Sequence, residues 1–185
     1  MPTPDRTSLQ AIIRAGRELL EAGGLARVTM QAVAERVGVR APSLYKRVKN
    51  RQALIGLIAA ASVDDLGEQL DAVVSHTEDA RAQVRELAHA FRAFAHANPQ
   101  SYRLIFAGSD ATRPDPELLA RAAVPLLRVT AELAGPGDAL DAARTLTAWA
   151  SGFVSMELAN GFQLGGDVDR AFEFGVERLA DALAV

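Results

Sequence analysis

Apolar residues recur every three to four positions along almost the whole chain, and no run of β-branched residues alternates with polar ones over the length of a strand. That periodicity predicts an all-α protein. Leu9, Ile12, Ile13, Gly16, Leu19 and Leu20 fall on one face of a first helix, and Gly23-Gly24 supplies its stop. Thr29 is placed to cap a second helix with Met30, Val33, Ala34 and Val37 inward and Gly38 at its end. Pro42 suits the first turn of a short third helix bearing Leu44, Tyr45 and Val48, and Asn50 can cap a fourth that runs to about Val74. Larger helices follow at about residues 78–97, 99–106, 116–134, 139–162 and 168–183, with a loop at 108–115 rich in Gly, Asp, Thr and Pro. The expected total is about nine helices.

Charge divides the chain where periodicity does not. Residues 1–55 hold ten Arg/Lys and four Asp/Glu, a net of +6; the remainder holds ten and nineteen, a net of −9. A basic front on an acidic body is what a polyanion-binding module joined to a non-binding domain would carry. The expected domains are therefore residues 1–55, binding nucleic acid, and residues 56–185, with no flexible linker between them. At 185 residues and 49% hydrophobic content the chain can build a sizeable core. It has no cysteine, so disulfides and thiolate metal sites are excluded. The opening MPTPDRTS lacks an apolar h-region, and the longest apolar run, ALIGLIAAASV at residues 53–63, is too short to cross a bilayer. These features predict a soluble, cytoplasmic protein without membrane contact.

The segment from Met30 to Val48 meets the physical requirements of a helix-turn-helix. Ala34 is small enough for close helix approach, and Gly38 can adopt the left-handed conformation that ends a helix sharply. Val33, Val37, Val39 and Leu44 would fill the angle between the helices. This leaves Arg40, Ser43, Tyr45, Lys46 and Arg47 exposed around the second helix. The DNA major groove admits one helix between walls of phosphate, so it calls for small residues and donors at the bases and cations at the margins. Arg40, Lys46, Arg47, Lys49 and Arg51 meet the second demand.

A metal or enzyme reading has less behind it. His89 and His96 are seven residues apart on one helix face, about 10 Å along the axis, too far for both to reach one ion even with Glu86 or Glu157 nearby. His76 falls in or near the preceding loop. There is no Gly-rich phosphate loop, nucleophile elbow or Ser-His-Asp arrangement, so neither a cofactor nor catalysis is expected. A helical enzyme or metal protein and an architectural DNA binder without a ligand stand as the alternatives.

Thr29, VAERVGV at 33–39 and APSLYKRVKNRQAL at 41–54 together resemble the N-terminal domain of the TetR family of bacterial transcriptional regulators. Leu44-Tyr45 keep the family's Leu-Tyr; Arg47, Val48 and Arg51 stand where it commonly has His, Phe and Lys. The resemblance implies a helix-turn-helix DNA-binding domain followed by a helical ligand-binding and dimerisation domain. It implies a homodimer on a palindromic operator, most often as a repressor, released by a small, largely apolar inducer. Thr29 would bind a phosphate through its hydroxyl and backbone N–H, and Tyr45 would give its phenol O–H to another. Arg40, Ser43 and Lys46 would contact base edges, and Ala41 and Pro42 a thymine methyl. Arg47, Lys49 and Arg51 would contact phosphates.

For the acidic body the resemblance implies a dimer surface on the last two helices. Ala148, Ser151, Gly152 and Ser155 form a small-residue strip there, and Leu158, Phe172, Val176 and Leu179 add apolar area. Any of these residues can equally face the protomer's own core. Phe91, Phe94, Tyr102, Phe106, Trp149, Phe153 and Met156 are the candidates for a ligand pocket, against the alternative of an ordinary aromatic core. SGFVSMELANGF at 151–162 resembles a pattern of some TetR-like proteins in which His-Gly precedes Leu-Glu; Ser151 takes the place of that His.

Overall fold

The computed structural model describes residues 8–74, 79–107 and 114–185; His76 and most of the expected 108–115 loop lie outside them. The described residues form ten α-helices and one 3-10 turn and no strand, one α-helix more than expected. The extra helix comes from Pro125. The single helix expected at 116–134 is divided into Pro116–Ala122 (here α7) and Val124–Ala134 (α8), because a proline ring has no N–H to donate and crowds the carbonyl four residues back. Two other expectations shorten. The third helix, α3, is Ala41–Tyr45 rather than reaching Val48, and α9 is Ala139–Leu158 rather than reaching Phe162. Past Leu158 the chain turns back on itself: Asn160 sits at φ 51°, and the Gly161 N–H donates to Met156 O at 2.7 Å.

The chain divides into two compact units, residues 1–64 with 98–118, and residues 65–97 with 119–185. The break expected after residue 55 falls nine residues short of the first unit's edge, and a later segment joins that unit.

In the first unit, α1 (Leu9–Gly23) starts at Ser8, whose side chain accepts from the Ala11 N–H, and stops at Gly24 (φ 71°), whose N–H reaches Leu20 O. A 3-10 turn, Leu25–Arg27, leads to α2 (Met30–Val37). After α3 comes α4 (Arg51–Val74), of which residues 51–64 belong to this unit; it is capped by Asn50 Oδ1 accepting from the Ala53 N–H at 2.8 Å. Ile12, Leu20, Val28, Val33, Leu44, Val48, Leu54, Ile55 and Ile58 are buried in one core with Leu104 of α6 (Pro99–Phe106). Each such side chain contributes about 1.5–3 kcal/mol over exposure. Gly16 lets α1 approach α4: a Cβ there would lie 2.5 Å from Ile58 Cδ1. α6 has no side-chain cap of its own. Glu21 on α1 supplies it, one carboxylate oxygen accepting from the Gln100 N–H at 3.0 Å and the other from Ser101 N–H at 2.8 Å. A carboxylate there also matches the positive end of the helix dipole.

In the second unit, α5 (Ala80–Ala97) packs against α8, α9 and α10 (Val168–Leu183). Val84, Leu87, Phe91, Phe94, Val129, Leu133, Leu146, Val154, Phe172 and Val176 are buried. Gly175 on α10 sits against the Trp149 indole, where a Cβ would come 2.2 Å from Cζ2.

Candidate nucleic-acid interface

Local chemistry sets the α2–α3 corner. Thr29 Oγ1 accepts from the Ala32 N–H at 3.0 Å, which satisfies one of the orphan donors of the first turn of α2 and leaves the hydroxyl hydrogen for another partner. Gly38 takes φ 75°, ψ 35°, the left-handed region expected of it. Its N–H reaches Glu35 O at 3.1 Å and the Val39 N–H reaches Ala34 O at 2.9 Å, so two C-terminal carbonyls of α2 are closed off. Arg40 precedes α3 in extended conformation, and Pro42 occupies its first turn. Val33, Ala34, Leu44 and Val48 are buried, with Val37, Val39 and Ala41 packed against them, as the spacing predicts.

With the apolar positions turned inward, the polar ones point out. Arg40, Pro42, Tyr45, Lys46, Arg47 and Lys49 are exposed, Tyr45 by 53%, while Thr29, Ala41 and Ser43 are half-buried. Tyr45 is thus exposed beside the buried Leu44. Two other basic residues are engaged within the protein. Arg36 donates from Nε to Glu18 Oε2 at 2.8 Å, with Nη2 at 2.7 Å. Arg51, expected as a phosphate contact, instead aims its guanidinium at backbone: Nε donates to Val28 O at 2.7 Å and Nη2 to Leu25 O at 2.6 Å.

In the second unit the aromatic candidates part company. Trp149 stacks on Phe172 (centroids 5.2 Å, 29° between planes), and Phe153 meets Phe172 edge-on at 5.2 Å and Phe162 at 4.7 Å. Phe172 and Val176, expected to add apolar area to a partner-facing surface, lie inside the unit at 0% and 1% exposure; at their positions on α10 the 3.6 period points them inward. Met156, expected in a pocket, is 47% exposed on α9. Phe91 and Phe94 are buried, while Tyr102 and Phe106 belong to α6 of the first unit, the former buried and the latter exposed. Ala148, Gly152 and Ser155 lie along an exposed strip of α9; Ser151, Leu158 and Leu179 are half-buried.

An ionic network joins α5, α9 and the start of α10. Arg92 on α5 donates to Glu157 from Nε at 2.9 Å and from Nη2 at 2.5 Å, and to Asp169 at 2.5 Å, while its guanidinium lies 4.7 Å from the Phe172 ring centroid. The hydrogen bonds to Glu157 hold the Arg92 pKa above its ordinary value, with burial opposing and Asp169 adding to the rise. His96 Nε2 lies 3.3 Å from Glu157, and His89 Nε2 lies 2.7 Å from Glu173. The two histidines thus face separate carboxylates, and among the described residues no group of three His, Cys, Asp or Glu is arranged to hold a metal. No described helix is long and apolar enough to cross a membrane.

Two stretches of the chain match known families. Residues 12–58 match the model of bacterial regulatory proteins of the tetR family, and residues 84–179 match that of the tetracyclin repressor-like C-terminal domain. The tetracycline repressor protein class A from transposon 1721 of Escherichia coli is 31% identical over 170 residues, 89% of this chain and 76% of that protein. An uncharacterized HTH-type transcriptional regulator of Mycobacterium tuberculosis is 29% identical over 96% of this chain and 82% of its own length. Among solved structures, a possible TetR family transcriptional regulator from Streptomyces coelicolor A3(2) aligns with a TM-score of 0.71 at 26% identity, over 97% of this chain and 98% of that one. A TetR variant from Acinetobacter baumannii AYE in complex with minocycline aligns with a TM-score of 0.69 at 26% identity, over 95% of each chain. The chain is a DNA-binding transcriptional regulator and belongs to the TetR family.

Proposed function

We propose that the protein is a ligand-responsive repressor that binds a palindromic operator as a homodimer, with α3 entering the major groove. The observation that carries this reading is the left-handed Gly38, after which Leu44 and Val48 are buried while Pro42 and Tyr45 on α3 and Lys46 at its end are exposed. Thr29 and Tyr45 donate to phosphates; Arg40, Ser43 and Lys46 meet base edges; Ala41 and Pro42 meet a thymine methyl. Arg47 and Lys49 lie against the backbone. An Arg or Lys bidentate to guanine discriminates by about 1–3 kcal/mol.

One helix-turn-helix covers few base pairs, so a two-fold partner is needed for a specific site. The exposed Ala148, Gly152 and Ser155 on α9, with Phe174 on α10 exposed by 62%, supply a surface for that partner. Ligand response is supported by the complex of the Acinetobacter relative with minocycline. Here the inducer is a small, largely apolar molecule bound in the helical body, and Phe91, Phe94, Trp149 and Phe153 are its nearest candidates. Coupling between the inducer and the operator is of the usual size, about 1–3 kcal/mol.

Tyr45→Ala and Lys46→Ala test the assignment. Fluorescence anisotropy on an operator duplex is expected to show binding lost in both, while sedimentation shows the wild-type oligomer. Undiminished operator affinity in both variants refutes the interface.

A further inference from the structure

Arg51 opens α4, where the positive end of the helix dipole disfavours a cation. What holds it there is the pair of carbonyls it bonds. Leu25 begins the 3-10 turn and Val28 directly follows it, so the fork of Nε and Nη2 grips both ends of the link between α1 and α2. The Val28 carbonyl shares a peptide plane with the Thr29 N–H, which itself donates to Arg27 O at 3.1 Å. Thr29 then caps α2. The N–H groups of Met30 and Gln31 come next, and helix geometry gives neither an acceptor within α2.

We propose that Arg51 is a positioning residue for operator binding. It does not neutralise a phosphate; it fixes the turn at 25–28 so that the N-terminus of α2 and the Thr29 hydroxyl present their donors to the DNA backbone. This rests on reading α2–α3 as the operator interface. The chemistry asks for arginine in particular. Its planar fork presents two N–H groups at a fixed spacing to two acceptors, whereas lysine keeps the charge and loses the fork.

The test uses the full chain with Arg51→Lys and Arg51→Met. Amide hydrogen exchange in DNA-free protein is expected to speed up at Ala32 and Val33, whose acceptors are Thr29 Oγ1 and Thr29 O, in both variants. Operator affinity, measured at a temperature where circular dichroism shows both variants folded, is expected to fall on the order of tenfold in each, the scale of losing aligned bonds from a charged donor. The slope of log K against log salt should stay at the wild-type value. A direct phosphate contact predicts something different: the slope drops by about one in Arg51→Met, and Arg51→Lys restores both slope and affinity. That result overturns the proposal, as does unchanged exchange or unchanged affinity in both variants. If the wild-type chain bound no duplex, the interface reading would fail, and exchange alone would still judge the staple.

Discussion

Replacing Gly38 isolates the bend of the helix-turn-helix from its surroundings. The residue sits at φ 75°, ψ 35°, and a Cβ built there meets nothing within 4 Å. Any cost of substitution is therefore backbone strain and not collision. An L-residue in the left-handed region costs about 1–2 kcal/mol, so Gly38→Ala should lose that much. Gly38→Val, β-branched, should lose more, and Gly38→Asn less, because asparagine tolerates this region through local hydrogen bonding. For a chain of this size 1 kcal/mol moves Tm by about 2–4 °C, so alanine should lower it by about 2–8 °C. Urea unfolding followed by far-ultraviolet circular dichroism measures the series, with m unchanged if only stability moves. Operator affinity should follow the same order, since the bend aims α3. Valine as well tolerated as glycine, or asparagine as harmful as valine, would refute the conformational argument.

Arg92→Ala leaves Glu157, whose side chain is only 8% exposed, with His96 Nε2 at 3.3 Å but without the arginine; the expected loss is about 3 kcal/mol, read by chemical denaturation. Replacing both Arg92 and Glu157 with apolar residues should recover much of it, and a cycle showing no such recovery contradicts the network. Asp169, with 82% of its side chain exposed, should matter far less, within about 1 kcal/mol when changed to Ala. Gly175→Ala pushes the single tryptophan, Trp149, off Phe172. Its fluorescence emission should shift and stability fall by about 1–3 kcal/mol; an unmoved emission spectrum would mean the indole is not packed as described.

The corner of the N-terminal unit was legible because each of its signals is local. Thr29, Gly38, Pro42 and Asn50 act on backbone groups a few residues away, so their roles follow from spacing alone. The signal at Pro125 is equally local, but the apolar period runs through it without a break and masks the split. Long-range partners left weaker traces. Nothing near Glu21 announces that it caps α6, almost eighty residues on. For Arg51 there was a usable hint, a cation at the wrong end of a helix. Phe172 and Trp149 show the limit of composition: an aromatic on an amphipathic helix can pack in its own core or against a partner, and only the rotation of α10 decides.

The most direct test of the two-fold, α3-reading account is selection of bound sites from random duplex DNA by the full-length protein. The account predicts a palindrome whose half-sites are spaced so that two recognition helices enter successive major grooves about 34–36 Å apart, with Lys46→Ala altering the preferred bases. Recovery of duplexes with no shared sequence, or of one unrepeated half-site, would contradict it.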